Sequence, residues 1–396
     1  MGEEKKEEKR DTCASVAATK QKKKLWRSPL MRKNIAIICN LDGFGNSIAP
    51  LGIKKYLEEK GHKVDLINTF YISRFKINKN IKFIIPPSKV KIYFVIFLEL
   101  LSFLAQNYIL HGHKYYNLLL LIMKVRSSIL TDYFKKNHYD ILICEDPIDS
   151  YFLLRYSDGI KIYHCQTPYA DELYFGGQLL KKDYLKIKSL EINIFNCADY
   201  LSFSWESYAE YVKKYYNYQG KNIITLNNGT DIKSNRAKFI YPPKIVYFGY
   251  LGGYWINLPL ISRLSKIYKN IDVYGYPPPD KKYGLNYKGY ATMDILSNYQ
   301  FGLISISKDR LRTEGFSAKH IDYLSYGLPV LTPEWRRDPL FESTSIYYNE
   351  DNFVQVINKY SQENEWKQMS EKGYESAKQM KWENVLKPLD TIINNS

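Results

Sequence analysis

The chain has 396 residues, 45% of them hydrophobic, which is enough apolar material for the cores of two domains of ordinary size. A formal net charge of +16 points to an anionic partner: a nucleotide, an anionic lipid or a nucleic acid. Cys13, Cys39, Cys144, Cys165 and Cys197 show neither CxxC nor His-cluster spacing, which excludes a zinc or thiol-redox motif. Cys39, Cys144 and Cys165 sit in or beside apolar strand-like runs and read as reduced core residues of a cytosolic protein.

Residues 1–30 are charged and lack hydrophobic periodicity, the pattern of a disordered tail, and they have no apolar h-region of a secretory signal. The folded pattern begins at Met31. Asn34 to Cys39 is a buried-type strand, Asn40 to Asn46 a glycine-bearing loop, Ser47 to Lys60 a helix, and Gly61 to Ile67 a second strand. Gly43-Phe-Gly45 lacks the third glycine of a dinucleotide fingerprint. Asp42 and Asn46 in that loop are candidate ligand contacts or plain turn residues. Lys91 to Leu110 and Leu118 to Met123 are the most apolar stretches, and neither makes a clean membrane span: Glu99, Gln106 and Asn107 interrupt the first, and the second is too short. A buried helix is the plainer expectation. The alternative is an interfacial membrane-docking face, supported by Lys89, Lys91, Lys114, Lys124 and Arg126.

Asp140 to Cys144 reads as a further strand ending at Glu145-Asp146-Pro147, and Ile160 to Tyr163 as another, followed by His164-Cys-Gln-Thr-Pro. Carboxylates at the C-terminal ends of such strands face the cleft where an α/β sheet binds ligands. A base that deprotonates an acceptor hydroxyl is therefore sought among Glu145, Asp146, Asp171 and Glu172, with His164 as a neutral alternative; Asp171 is favoured. Tyr184 to Cys197 is a helix on which Glu191 reads as a solvated face residue. Glu206 to Tyr216 is another helix.

Lys233 to Pro243 is a polar, proline-ended linker. Lys244 to Gly249 then restarts the α/β pattern, with Asp272 to Gly275, Tyr287 to Tyr290 and Phe301 to Ser307 as later strands. Glu314-Gly-Phe-Ser317 forms a tight loop with Ser317 at the N-cap position, and Ala318 to Tyr326 follow as helix. Gly327 falls where a left-handed C′ residue belongs, and Pro329 blocks continuation. A strand leading through a glycine loop into a helix N-terminus is an anion site, because unpaired N–H groups and the helix dipole converge there. Glu314 and Asp322 flank it, and carboxylates there suit the hydroxyls of a ribose or a sugar. Phosphate together with hydroxyls means a nucleotide sugar.

The stretch Glu314 to Pro333 resembles the donor-binding signature of GT-B glycosyltransferases, especially the retaining family four: a carboxylate, seven residues, a second carboxylate, then a small-residue helix ending Gly-x-Pro-Val. The second carboxylate is Asp322 where the family has Glu. By this resemblance Glu314 contacts the donor sugar and Asp322 the ribose. Lys319, Tyr323, Gly327 and Pro329 are also similar to the Lys-x-x-x-Tyr-x-x-x-Gly-x-Pro pattern of the xanthan-pathway glucuronosyltransferase type, whose lysine meets the donor diphosphate. Two-carboxylate spacing favours retention, whereas that second relative inverts, so the anomeric outcome stays open. Family four carries Arg and Lys after its first C-domain strand; here Gly249 is followed by Tyr-Leu-Gly-Gly, which leaves the diphosphate to loop amides, the Ser317 and Ala318 amides, Lys319, and Lys308 or Arg310. Tyr276 or Tyr290 would border the base. Met380-Lys-Trp-Glu383 resembles the start of the terminal helix that crosses back onto the N-domain in such proteins.

The expected fold is α/β, a GT-B pair of doubly wound Rossmann-like domains facing a cleft: a tail at 1–30, an acceptor-side domain at 31–236, a nucleotide-sugar domain at 237–378 and a returning helix at 379–396. The resemblance implies a cytoplasmic, metal-independent glycosyltransferase that uses a nucleotide-diphosphate sugar and no cofactor. Its catalytic residues are Asp171 and Glu314, its donor-binding residues Ser317, Ala318, Lys319, Asp322, Tyr290 and Gly249, and its acceptor-side residues Asp42, Asn46 and Glu145. The acceptor is a glycan or a lipid-linked glycan, with peripheral contact to an anionic membrane as an open reading and no nucleic-acid partner. A nucleotide-sugar 2-epimerase on the same fold, or a non-catalytic basic binding protein, are the alternatives.

Overall fold

The computed structural model describes residues 32–41, 48–69, 84–220, 222–315 and 317–395. The N-terminal segment lies outside the described residues, as does the glycine loop with Asp42 and Asn46.

The first half runs β1 (Asn34–Cys39), α1 (Ile48–Glu59), β2 (Lys63–Asn68), α2 (Lys89–Leu104), a π turn (Ala105–Ile109), α3 (Tyr116–Phe134), β3 (Ile141–Cys144) and α4 (Pro147–Ser150). It continues through β4 (Ile160–Cys165), α5 (Tyr169–Phe175), α6 (Lys181–Cys197), β5 (Tyr200–Phe203), α7 (Glu206–Tyr216) and β6 (Ile223–Thr225). These strands form one parallel sheet in the order β2-β1-β3-β4-β5-β6. Helices cover both faces, so β1 and β3 are buried apolar runs and not alternating ones. Cys39, Cys144 and Cys165 are buried free thiols within them.

The second half runs β7 (Ile245–Phe248), α8 (Leu258–Ile267), β8 (Ile271–Tyr274), β9 (Tyr287–Gly289), β10 (Phe301–Leu303), α9 (Arg310–Glu314), α10 (Ala318–Ser325), β11 (Val330–Pro333), β12 (Ser345–Tyr348), α11 (Phe353–Tyr360) and α12 (Glu363–Gln379). The short α13 (Trp382–Val385) and α14 (Lys387–Asn394) follow. The second sheet is also parallel, in the order β12-β11-β10-β7-β8-β9. Two doubly wound parallel sheets are thus present, as the alternation of strand and helix patterns predicts. Strand order reverses between β1 and β3 in the first sheet and between β7 and β10 in the second, and such reversals open the crevices where α/β folds bind ligands.

Four local expectations are corrected. The apolar stretch from Lys91 is not a buried helix: Ile92, Val95 and Leu98 face inward, while Phe94, Phe97, Leu100, Leu101, Phe103 and Leu104 are exposed. Glu191 is not solvated but buried, accepting the Tyr169 and Ala170 N–H groups at 2.8 and 3.0 Å and the Tyr216 hydroxyl at 3.0 Å. A helix that ends on Glu314 precedes the donor loop, because the Asp309 side chain accepts from the Arg312 N–H at 2.8 Å and caps it. The terminal helix breaks at Leu386, where Pro388 opens α14.

Candidate active site

The donor motif assembles at the C-terminal edge of the second sheet, beside the reversal between β7 and β10. Tyr323 does this from inside α10: its hydroxyl accepts the Phe248 N–H at 3.0 Å and so ties the helix to the end of β7. One turn earlier on the same face, Lys319 lies across Gly249, where a Cβ would stand 2.3 Å from Lys319 Cε. Gly249 has φ +147, so only glycine leaves the room and adopts the backbone. Gly327 closes α10 at φ +72, the left-handed C′ position expected of it. Ser317 occupies the N-cap position but its side chain makes no capping bond, so the start of α10 keeps donor capacity for a ligand. Ala318 is exposed at that start.

Electrostatics at this edge are coupled. Burial lowers the pKa of Lys319, with the Asp322 charge opposing it and Arg312 adding to it. Burial pushes the Asp322 carboxyl up to about 6, against Lys319 and Lys233, which pull it down. Glu314, half-buried at the end of α9, has no hydrogen bond or ion pair among the described residues. Tyr290 is well exposed just past β9, the edge strand two places from β7, and Tyr276 is half-exposed past β8. The structure therefore gathers Gly249, Lys319 and Asp322 around one reversal point, with Ser317 and Ala318 at the start of the same helix, Glu314 at the end of α9 before it, and Tyr276 and Tyr290 past the neighbouring strands.

Sequence reasoning missed Arg312. Its Nη2 donates to Tyr254 Oη at 3.1 Å and pairs with Glu172, while its buried Nε has no hydrogen-bond partner. It stands close enough to Lys319 for its charge to lower that lysine's pKa further. The available signal was its place two residues before Glu314. Arg310 and Lys308 turn elsewhere. Arg310 Nε donates to Tyr211 Oη at 3.1 Å and its Nη2 lies 3.6 Å from Asp171, and Lys308 stands over the Trp335 ring at 5.9 Å.

On the acceptor side the carboxylates separate by environment. Asp171, favoured from sequence as a base, is fully buried: Tyr211 donates to it at 2.6 Å and Arg310 reaches it from α9. Glu172 on the same helix holds Arg312. Both therefore join α5 to α9, an arrangement suited to positioning and not to proton transfer with an entering substrate. His164 is buried, bonded to Ser202 Oγ at 2.9 Å and lowered to about 4 by burial, which makes it a neutral core residue. Glu145 differs. It ends β3 at the first sheet's reversal, takes the Gln166 Nε2 donor at 3.1 Å on one oxygen and leaves the other without a partner, and burial raises its pKa well above the usual range. Asp146 caps α4 through the Ile148 N–H at 2.6 Å.

No family model matches the chain, and no curated protein matches it. Solved structures do. The sucrose-phosphate synthase from Thermosynechococcus elongatus superimposes with TM-score 0.66 at 12% identity, covering 92% of this chain and 99% of that one. TarM matches with TM-score 0.64 at 13% identity over 93% of this chain and 100% of its own; a further structure is of the S. aureus protein with UDP and α-GlcNAc-glycerol. An α-glucosyltransferase in complex with UDP and a 13-mer DNA matches with TM-score 0.59 at 13% identity over 92% and 100%. At these identities the likeness speaks to architecture, and it agrees with the two facing parallel sheets: the chain has the GT-B fold.

Proposed function

We propose that the chain is a glycosyltransferase that moves a sugar from a nucleotide-diphosphate sugar to an acceptor hydroxyl. The observation that carries this is Lys319 laid across Gly249 at the uncapped start of α10, with the Asp322 carboxylate one turn on. The α10 N–H groups, Lys319 and Arg312 take the diphosphate, Asp322 accepts from the ribose hydroxyls, and Glu314 grips the donor sugar. Tyr290 or Tyr276 flanks the base. As the bond to the anomeric carbon breaks, charge grows on the departing diphosphate; a fixed helix N-terminus and two cations stabilise it without reorganising, so the reaction needs no metal or cofactor.

The acceptor enters from the first sheet, where Glu145 follows β3 with one oxygen free of a hydrogen-bond partner; Asp171 Oδ1 also lacks one but faces Arg310. Asp171 serves by holding α5 against α9, the helix that ends on Glu314. The acceptor is a glycan, lipid-linked in the form developed below, and the place of action is the cytoplasmic face of a membrane. Neighbouring folds hold UDP, which makes uridine nucleotides the first to try.

The test is thermal unfolding of the wild type beside Lys319→Ala in the presence of nucleoside diphosphates and nucleotide sugars. A ligand that binds only the folded state stabilises it by about 2.7 kcal/mol at a hundredfold excess over Kd. One base should raise the wild-type Tm, and the rise should vanish in Lys319→Ala. If no nucleotide moves the wild type, or if the variant responds equally, the assignment is wrong.

A further inference from the structure

Helix α2 with its π turn, Lys89 to Ile109, is the one stretch among the described residues long and apolar enough to cross a membrane, and it is mostly uncovered. Its residues divide into two stripes. Ile92 and Val95 pack inward with Ile129 and Val125 of α3, Leu98 is buried one turn on, and Glu99 pairs with buried Arg126 at 3.6 Å. Val90, Tyr93, Phe94, Phe97, Leu100, Leu101 and Leu104 recur at three- and four-residue spacing on the other side, all exposed, and Tyr108 and Ile109 of the π turn extend the row at 78% and 71% exposure. A helix that is apolar all round is buried in a core or in lipid, and no described element covers this face.

We propose that the outer face of α2 and its π turn lies in the headgroup–acyl boundary of an anionic membrane. Charge selects this occupant. Between residues 70 and 131 the single carboxylate is Glu99, and it points inward onto Arg126. Exposed cations lie at the start of α2 and on the elements packed next to it: Lys89, Lys124 on α3, which packs against α2, and Lys181, Lys182 and Lys186 at the head of α6, which packs against α3. The α6 cations come with exposed Leu180 and Leu185, and α6 is brought alongside by the Lys114 N–H donating to Gln178 O at 2.7 Å and by Lys186 over the Tyr116 ring. Apolar side chains ringed by lysines, with tyrosines at both ends, match an interface with anionic lipid. Spanning is excluded because insertion would strip the inner stripe of α2 from α3 and carry the buried Arg126 and its partner Glu99 into lipid.

The same helix is wired to the acceptor side. Arg126 also reaches Asp149 at 3.1 Å, just past β3, and donates to Thr69 O at 2.6 Å, just past β2. Docking through α2 therefore sets the C-terminal edge of the first sheet, with Glu145, close to the lipid surface. Resting on the glycosyltransferase reading above, this makes the acceptor a lipid-linked glycan whose anchor stays in the bilayer while its headgroup reaches the cleft.

The experiment is flotation of the full chain with vesicles of phosphatidylcholine, with and without phosphatidylglycerol. The wild type should float with the anionic vesicles. Phe97→Glu combined with Leu101→Glu should lower the floated fraction at least about tenfold, and Lys89→Glu with Lys124→Glu should lower it on anionic vesicles, while the unfolding temperature of each variant stays at the wild-type value. Sedimentation without lipid provides the other arm. A wild-type dimer that becomes monomeric in Phe97→Glu/Leu101→Glu would assign the face to a second copy and overturn the proposal, as would a wild type that ignores both vesicle types or a Glu variant that floats unchanged. Flotation uses no nucleotide, so failure of the donor assignment and failure of the docking face are read separately.

Discussion

Asp322 carries the clearest pH dependence at the level of single residues. Its carboxyl sits at about 6, raised by burial, so it is ionised at neutral pH and loses its charge as the medium is acidified through that value. An ionised carboxylate accepts a charge-assisted hydrogen bond from a ribose hydroxyl, worth about 1.5–3 kcal/mol. Nucleotide affinity should therefore fall roughly tenfold on going from about pH 7.5 to about pH 5, and Asp322→Asn should flatten the profile in calorimetric titrations. The unliganded fold responds with the opposite sign. A carboxyl whose folded pKa lies above its unfolded one contributes stability at low pH that is lost as pH rises through about 6. While the roles proposed for Lys319, Asp322 and Glu314 rest on the resemblance, the places of Lys319 and Asp322 on α10 are legible in the sequence because the stretch is contiguous. Arg312 is not, because its value comes from Glu172 and Tyr254, which are far away in the chain. Asp171 shows the same limit: a carboxylate after a strand reads as a base, and only Tyr211 and Arg310 reveal it as a tie.

Among the elements, α5 depends most on a distant residue. Its first N–H groups, at Tyr169 and Ala170, are satisfied by Glu191 from the middle of α6, and burial pushes that carboxyl up to about 7 despite the bonds that favour its charge. Removing the side chain in Glu191→Ala leaves buried donors and the Tyr216 hydroxyl without their acceptor, at a cost of about 3 kcal/mol. Urea unfolding should show that loss as a lower midpoint with the slope unchanged; a variant within about 0.5 kcal/mol of wild type would mean that water replaces the carboxylate. Because α5 presents Asp171 and Glu172 to α9, this cap also steadies the helix that ends on Glu314. The misreading of Glu191 has a plain cause. Helical periodicity says which face is apolar, yet a charge on the buried face is invisible until the orphan N–H groups it serves are seen.

On the scale of the whole molecule, the last two helices bind the ends of the chain together. Trp382 lies against Gly52 of α1 and against Gly229 after β6, and Asp390 accepts from Tyr56 at 2.9 Å and from Lys60 at 3.0 Å. Leu386, Leu389, Ile392 and Ile393 are buried in one cluster with Ile53, Tyr56 and Leu57. At about 2 kcal/mol for each buried aliphatic side chain, those four contribute about 8 kcal/mol, which is comparable with the whole stability of a folded protein. Deleting the chain after Met380 should thus yield a protein without a cooperative thermal transition in circular dichroism. A truncated chain that melts at the wild-type temperature would show the returning helices to be ornamental.

The sequence by itself determined the alternation of strand and helix through most of the chain and the Gly327 end of α10, because hydrophobic period, turn residues and capping chemistry are local properties. The doubly wound arrangement is expected from the family resemblance. Tertiary structure alone decided that Glu191 and Asp171 are buried and paired, that Arg312 stands near Lys319, and which face of α2 lacks a cover among the described residues. Each of those depends on what stands opposite a side chain across the fold, and burial and pairing are properties of that juxtaposition and not of the residue.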